Sequence, residues 1–163
     1  AGHETTTNLV GNGLVFLLSH PDVADRLRAD LSLVEAFVEE MLRFDPPIQC
    51  TYRRATADTR LGETEVASGD MVIPVWGAAG YDPAEFPEPE RFDLDRPNVR
   101  RHMGFGHGPH FCAGAELARL EAKIAFELLL TQLEEPVLDA EASDLARHPS
   151  FASTGYKRVV VSF

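Results

Sequence analysis

The sequence predicts a mainly α chain with small β regions, on three observations. The first 44 residues hold three consecutive helical patterns with almost no linker between them. A stronger pattern from Gly114 to Leu133 places apolar residues on two faces of one helix. The strand signals are short, lying between Ile48 and Trp76 and again from Arg158 to Phe163. A length of 163 residues, with 44% hydrophobic and 25% charged composition, suits a globular chain with a sizeable core and argues against disorder. The net charge of −11 argues against duplex nucleic acid as a partner, because phosphate neutralisation needs clustered Lys and Arg. The longest apolar run, Leu14 to Leu18, falls far short of the roughly 18 residues of a spanning helix. Two cysteines, Cys50 and Cys112, are too few for a disulfide scaffold, so a reducing, cytoplasmic setting is expected.

Taken in order, the first helix is expected over residues 1 to 20, stopping at His20-Pro21 because proline disfavours the α conformation in the residue before it. Its start is not visible: the chain opens on Ala1-Gly2-His3-Glu4-Thr5-Thr6, with no initiator Met, which suggests a piece of something longer. Asp22 to Leu31 reads as a second helix, and Ser32 with Glu35 forms a capping-box pattern opening a third that ends near Phe44, before Asp45-Pro46-Pro47. Thr51 to Ala55 and Met71 to Val75 read as strands, with turns at Leu61-Gly62 and Ser68-Gly69-Asp70. From Gly77 to Gly114 prolines and glycines leave little room for a long element, and loops of that length are uncommon unless functional. The helix that follows, with Leu117, Leu120, Ile124 and Leu128 on one face and Phe126, Leu130 and Leu133 on another, is expected to be deeply buried.

The most informative stretch is Phe105-Gly106-His107-Gly108-Pro109-His110-Phe111-Cys112-Ala113-Gly114. It resembles the haem-binding loop of the cytochrome P450 family, in which Phe, Gly, Arg or His, the ligand Cys and Gly recur at the spacings of Phe105, Gly108, His110, Cys112 and Gly114. Such a match arises by chance at a frequency on the order of 10⁻⁴ over the windows of a chain this long. The resemblance implies that Cys112 is the axial ligand of a haem iron, where a thiolate pushes electron density onto the metal. A position beside a helix N-terminus favours that thiolate. Gly108 and Gly114 would let the backbone lie close to a flat porphyrin, Phe105 would shield the sulfur, and His110 would contact a haem propionate. Zinc held by His107, His110 and Cys112 is a competing reading, although the set lacks the usual paired spacing and a fourth ligand. A buried structural thiol is another.

Other segments carry the resemblance further. Glu40-Met41-Leu42-Arg43 is a Glu-x-x-Arg pattern expected about 0.4 times by chance in this length, so alone it reads as a surface pair, and Glu39 could serve Arg43 as well. The family's ion-pair network selects Glu40 and Arg43 and adds Arg91 from Pro89-Glu90-Arg91-Phe92, so that Arg91→Ala is expected to cost haem incorporation. Ala1 and Gly2 resemble the small pair of the distal helix, and Glu4 and Thr5 its acid and alcohol, which suit the proton delivery that oxygen activation requires. Arg53, in Arg53-Arg54-Ala55, matches a propionate-binding position, with Arg54 as an alternative. Ala1, Ile48, Gln49, Thr51, Ala152 and Ser153 fall in substrate-lining segments whose mixed apolar and hydroxyl character names no single ligand.

The resemblance therefore implies the carboxy-terminal part of a single cytochrome P450 domain, running from the distal helix through the cysteine loop and its following helix to the terminal strands. Its expected activity is insertion of one atom of O2 into a small organic substrate, with haem b (iron protoporphyrin IX) as cofactor. Electrons would come from NAD(P)H through a ferredoxin or flavodoxin-type donor docking near Arg100 and Arg101, within a local excess of Arg between Arg96 and Arg119. A catalytically incompetent haem-binding fragment and a non-haem metal or interaction domain are the other readings.

Overall fold

Gly13 sets how closely the two longest helices meet. The computed structural model describes residues 2–163, and in it α1 (Glu4–Ser19) packs on α5 (Ala115–Gln132) so tightly that a Cβ at Gly13 would overlap the Phe126 ring. α3 (Val34–Phe44) lies against both, and the core forms where they join: Leu9, Phe37, Val38, Met41, Leu42, Ala122 and Phe126 are all buried. Phe37 meets Phe126 edge-on, with ring centroids 4.9 Å apart, and Phe92 closes over Phe16 at 4.2 Å.

The helix boundaries follow local chemistry. α1 stops at Ser19 because Pro21 opens α2 (Pro21–Ala29), and the His20 ring folds back to stack on Phe16. The expected capping box at Ser32 and Glu35 does not form. Asp30 instead accepts from both the Ser32 N–H and its hydroxyl, capping a 3₁₀ turn over Leu31–Leu33 from which α3 continues at Val34. An Asp two residues ahead of an amide closes a tighter ring than the reciprocal box, and this one takes the donor the box would have used.

Four small antiparallel pairs replace any large sheet. β1 (Arg53–Arg54) pairs with β4 (Met71–Val72), and β2 (Thr59–Leu61) with β3 (Thr64–Val66) across Gly62, whose φ of +59° a tight turn requires. In the tail, β5 (Val137–Leu138) pairs with β8 (Val161–Ser162) and β6 (Asp144–Arg147) with β7 (Tyr156–Arg158), so the single expected strand from Arg158 to Phe163 is divided between two partners. Between β4 and α5 the chain holds only the short α4 (Trp76–Ala79) and two 3₁₀ turns, as its Gly and Pro content predicts.

The expectation for α5 needs correction. Ala115, Ala122, Phe126 and Leu130 are buried, but Leu117, Leu120, Ile124 and Leu128 stay 59, 54, 47 and 48% exposed. Periodicity reports that a face is apolar, whereas burial depends on which element reaches it; α1 and α3 reach only one side. Among the described residues no helix is long and apolar enough to cross a membrane.

Candidate active site

The cysteine loop is shaped by its glycines. Gly106 and Gly108 have φ of +73° and +75°, which favour glycine, and the Gly106 N–H donates to the Met103 carbonyl at 2.8 Å. The Cys112 N–H then donates back to the Phe105 carbonyl at 3.0 Å, closing the loop just ahead of Gly114, the N-cap of α5. Gly104 seats this loop on α3, since a Cβ there would stand 2.7 Å from the Leu42 carbonyl oxygen. Cys112 is exposed, in contrast to the buried Cys50, whose thiol donates to the Phe151 carbonyl.

Cys112 opens onto a cleft of about 680 Å³. α1 contributes Thr5, Thr6 and Leu9 to its walls; the cysteine loop contributes Phe105, Gly106, His110, Cys112 and Gly114; and Ile48, Thr51, Arg53 and Trp76 complete the rim. The cleft therefore gathers Gly2 and Thr5 from the start of the chain, Ile48, Thr51 and Arg53 from the stretch after α3, and Phe105, His110, Cys112 and Gly114 from the cysteine loop, nine of the residues singled out from the sequence and drawn from three separate segments. Arg53 is exposed there, its guanidinium held by the Tyr52 carbonyl at 2.8 Å. Glu4 is exposed in the first turn of α1, and it, Gly108, Gln49, Ala152 and Ser153 are not among the cleft walls. Gln49 and Ala152 are instead bonded to each other, the Gln49 N–H donating to the Ala152 carbonyl at 2.7 Å beside the Ile48–Ser153 bridge, so the two segments meet through their backbones. Ala1 lies outside the described residues.

Behind the loop two buried carboxylates hold the fold. Glu40 is fully buried and accepts from Arg43 at 2.7 and 2.8 Å, from the Asp93 N–H at 2.9 Å and from Arg96 at 3.2 Å. The third member of the network is thus Arg96, and the expectation of Arg91 is corrected: the Arg91 side chain is 63% exposed and reaches only Glu88 at 3.4 Å. Arg91 takes part through its carbonyl, which accepts from both Arg43 and Arg96. Arg96, five residues on, is the side chain the turn over Asp93 and Leu94 directs inward. Arg43 and Arg96 also donate to the Gly80, Pro87 and Pro89 carbonyls, which satisfies backbone that no regular element pairs.

Glu39 leads a separate network of its own. His102 donates to it at 2.9 Å and Arg119 binds both its oxygens, one at 3.2 Å. Burial alone would raise the Glu39 carboxyl, but the hydrogen bonds from His102 and Arg119 and the Arg119 charge outweigh it and bring its pKa down to about 2. Glu39, Arg96, His102 and Arg119 were not assigned to these networks by sequence reasoning; the one available signal was the doubled acid at Glu39-Glu40. These bonds also thin the basic stretch expected to steer a donor. Arg96 and Arg119 are committed internally and Arg101 pairs with Glu85 at 2.9 Å, which leaves Arg100 as the member without a salt-bridge partner among the described residues.

The donor chemistry fits a haem better than a bare divalent ion. Among the described residues no three His, Cys, Asp or Glu side chains converge as a metal cluster would require, so the His107, His110 and Cys112 zinc set does not assemble. A single thiol on a cleft also lined by Arg53 and His110 would instead suit one thiolate bond to a haem iron and two partners for the haem's acid groups.

The cytochrome P450 family model matches residues 1–152, and the chain belongs to that family. It is 44% identical over 162 residues to the cytochrome P450 monooxygenase PikC of Streptomyces venezuelae, covering 99% of this chain and 39% of that protein. It is 40% identical over 163 residues to a vitamin D(3) 25-hydroxylase of Pseudonocardia autotrophica, at 99% and 40% coverage. Among solved structures it is similar to P450BioI in complex with an acyl carrier protein ligated to hexadec-9Z-enoic acid, with a TM-score of 0.91, 39% identity and coverage of 99% and 41%. It is also similar to CYP109E1 from Bacillus megaterium in complex with testosterone, with a TM-score of 0.93, 36% identity and coverage of 99% and 44%. The chain spans about 40% of the length of these curated relatives.

Proposed function

We propose that the full-length protein is a haem-thiolate monooxygenase that inserts one atom of O2 into a small organic substrate and releases the other as water. Haem b, when bound, would supply the oxygen-activating chemistry, with electrons from NAD(P)H through a ferredoxin or flavodoxin-type donor. The observation that carries this reading is the shared cleft, where Cys112 on its glycine-shaped loop and Thr5 on α1 border one cavity.

In that cleft Cys112 would hold the haem iron through its sulfur, and Phe105, whose carbonyl holds the Cys112 amide, lines the loop side. Arg53 and His110, both on the cleft wall, would pair with the acidic groups of bound haem. The Thr5 hydroxyl holds and passes protons toward the reacting oxygen, with Glu4 one residue earlier as the source exposed to water. Leu9, Ile48 and Trp76 exclude water and select an apolar substrate, while Thr51 offers a hydroxyl for orientation. The testosterone and vitamin D(3) named for two relatives support that apolar class. A donor would dock over Arg100, whose charge reversal slows reduction. The free thiols of Cys50 and Cys112 suit a reducing cytoplasm.

The deciding experiment is the spectrum of the reduced, CO-treated full-length protein. The red-shifted Soret band of a thiolate-ligated haem is expected, and Cys112→Ser is expected to abolish it. Wild-type protein that takes up no haem, or that shows no such band, would overturn the reading. In the same protein Thr5→Ala is expected to divert reductant into hydrogen peroxide at the expense of product; unchanged coupling removes Thr5 from the proton path.

A further inference from the structure

One buried carboxylate reaches Phe105 by two routes. Along the first, Glu39 accepts from His102 Nε2 at 2.9 Å, and His102 Nδ1 accepts from the Gly104 N–H at 3.0 Å. The Gly104 amide can only donate, so Nδ1 is the accepting nitrogen and Nε2 the one that donates to Glu39. Gly104 adjoins Phe105, whose ring centroid lies 5.9 Å from that of His102. Along the second route, Arg119 from α5 binds both Glu39 oxygens and lays its guanidinium carbon 4.7 Å from the Phe105 centroid. The routes end on the residue whose carbonyl accepts the Cys112 N–H at 3.0 Å. His102 and Glu39 side chains are only 2 and 3% exposed, and Arg119 is 18% exposed, so solvent screens this linkage little.

We propose that Glu39, His102 and Arg119 are positioning residues for the cysteine loop: they fix Phe105 from its backbone and from its ring face, and through the Phe105 carbonyl they hold the Cys112 main chain so that the sulfur keeps one orientation toward bound haem. The proposal rests on the haem-thiolate reading above. It assigns a role to a network separate from that of Glu40, which holds the long connection and touches neither Phe105 nor the loop. The planar guanidinium is essential to it. Only a flat cation can lie over an aromatic ring while donating in its own plane to both oxygens of a carboxylate, and Lys cannot reproduce that geometry.

The test uses the full-length, haem-loaded protein and three variants, Arg119→Lys, His102→Leu and Glu39→Gln. Haem content and melting temperature are measured beside two readouts that report on the ligand itself, the thiolate-to-thiol ratio of the reduced CO complex and the haem midpoint potential. Arg119→Lys is expected to keep most of its haem yet raise the thiol-ligated fraction several-fold and shift the potential, with His102→Leu and Glu39→Gln moving both readouts further. A purely structural role would lower haem content and melting temperature and leave both ligand readouts at wild-type values on whatever haem remains, and that result overturns the proposal. If His102→Leu or Glu39→Gln fails to fold, Arg119→Lys decides alone. Wild-type protein without a thiolate band brings down the haem-thiolate reading and this proposal with it, whereas a wild-type band unchanged in the variants brings down the positioning role only.

Discussion

Glu39 and Glu40 are adjacent, carry the same charge and are both buried, yet α3 sends them to different parts of the molecule. An α-helix turns by about 100° per residue, so neighbouring side chains address different surroundings. Glu40 meets Arg43 of its own helix together with Arg96 and the Asp93 amide from the irregular stretch between β4 and α5, and it is fully sealed from water. Glu39 meets one arginine of α5 and a histidine just ahead of the cysteine loop. Along this one helix, Glu40 ties irregular chain to the core, whereas Glu39 links α3 to α5 and to His102 just ahead of the cysteine loop. Because a buried charge is costly once its partner is gone, each network is best tested by removing one partner at a time.

The largest effect is expected from Arg43→Ala. It leaves the Glu40 carboxylate with one arginine and orphans the Gly80 and Pro89 carbonyls, a loss of about 3–5 kcal/mol read as a fall in denaturation midpoint of the full-length protein. Arg96→Ala follows at about 3 kcal/mol by the same measurement, since it removes the second arginine from Glu40 but leaves the paired Arg43. A smaller midpoint change there than for a surface arginine would contradict the assignment of Arg96 as third member.

Acid exposes the Glu39 side of the comparison. Its carboxyl ordinarily titrates at 4.5 and is held at about 2 when folded, so its contribution is fully present above the ordinary value and is lost as pH falls through about 2. Burial raises Asp45 despite its pairing with Arg147, and Asp45 therefore works in the opposite sense over the neighbouring range. The informative quantity is thus the difference between wild type and Glu39→Gln, which is expected to shrink from above pH 4.5 toward pH 2; a difference that stays constant across this range contradicts the depressed carboxyl. Least affected should be Arg91→Ala, under about 1 kcal/mol and with haem content retained, because the side chain is exposed and only its carbonyl serves the network.

Much of this was legible in the chain. The glycine spacing around Cys112, the Pro21 stop of the first helix and the irregularity between Gly77 and Gly114 follow from local backbone chemistry, which a sequence states directly. The Glu40 and Arg43 pairing was legible only through resemblance, since i,i+3 and i,i+4 partners are equivalent on an isolated helix. Arg91 was misread because Arg91 and Arg96 lie in the same irregular stretch, and which one turns inward depends on a fold of that stretch with no periodicity to read. The apolar face Leu117, Leu120, Ile124 and Leu128 was assigned to the core on pattern alone, whereas it lies exposed for want of a neighbour among the described residues.

The chain alone is therefore informative about local features: where helices begin and break, where positive φ is needed, and that one cysteine sits in a glycine-rich loop just ahead of a long helix. Only the tertiary structure decided the pairing of charges: Arg96 rather than Arg91 on Glu40, Arg119 and His102 on Glu39, and Thr5 and Arg53 in one cleft with Cys112. The physical reason is distance along the chain. Glu39 and Arg119 are 80 residues apart and Glu40 and Arg96 are 56 apart, and such partners are selected by burial, which leaves a carboxylate no solvent and forces it to take whichever donor the packing of α1, α3 and α5 brings within reach.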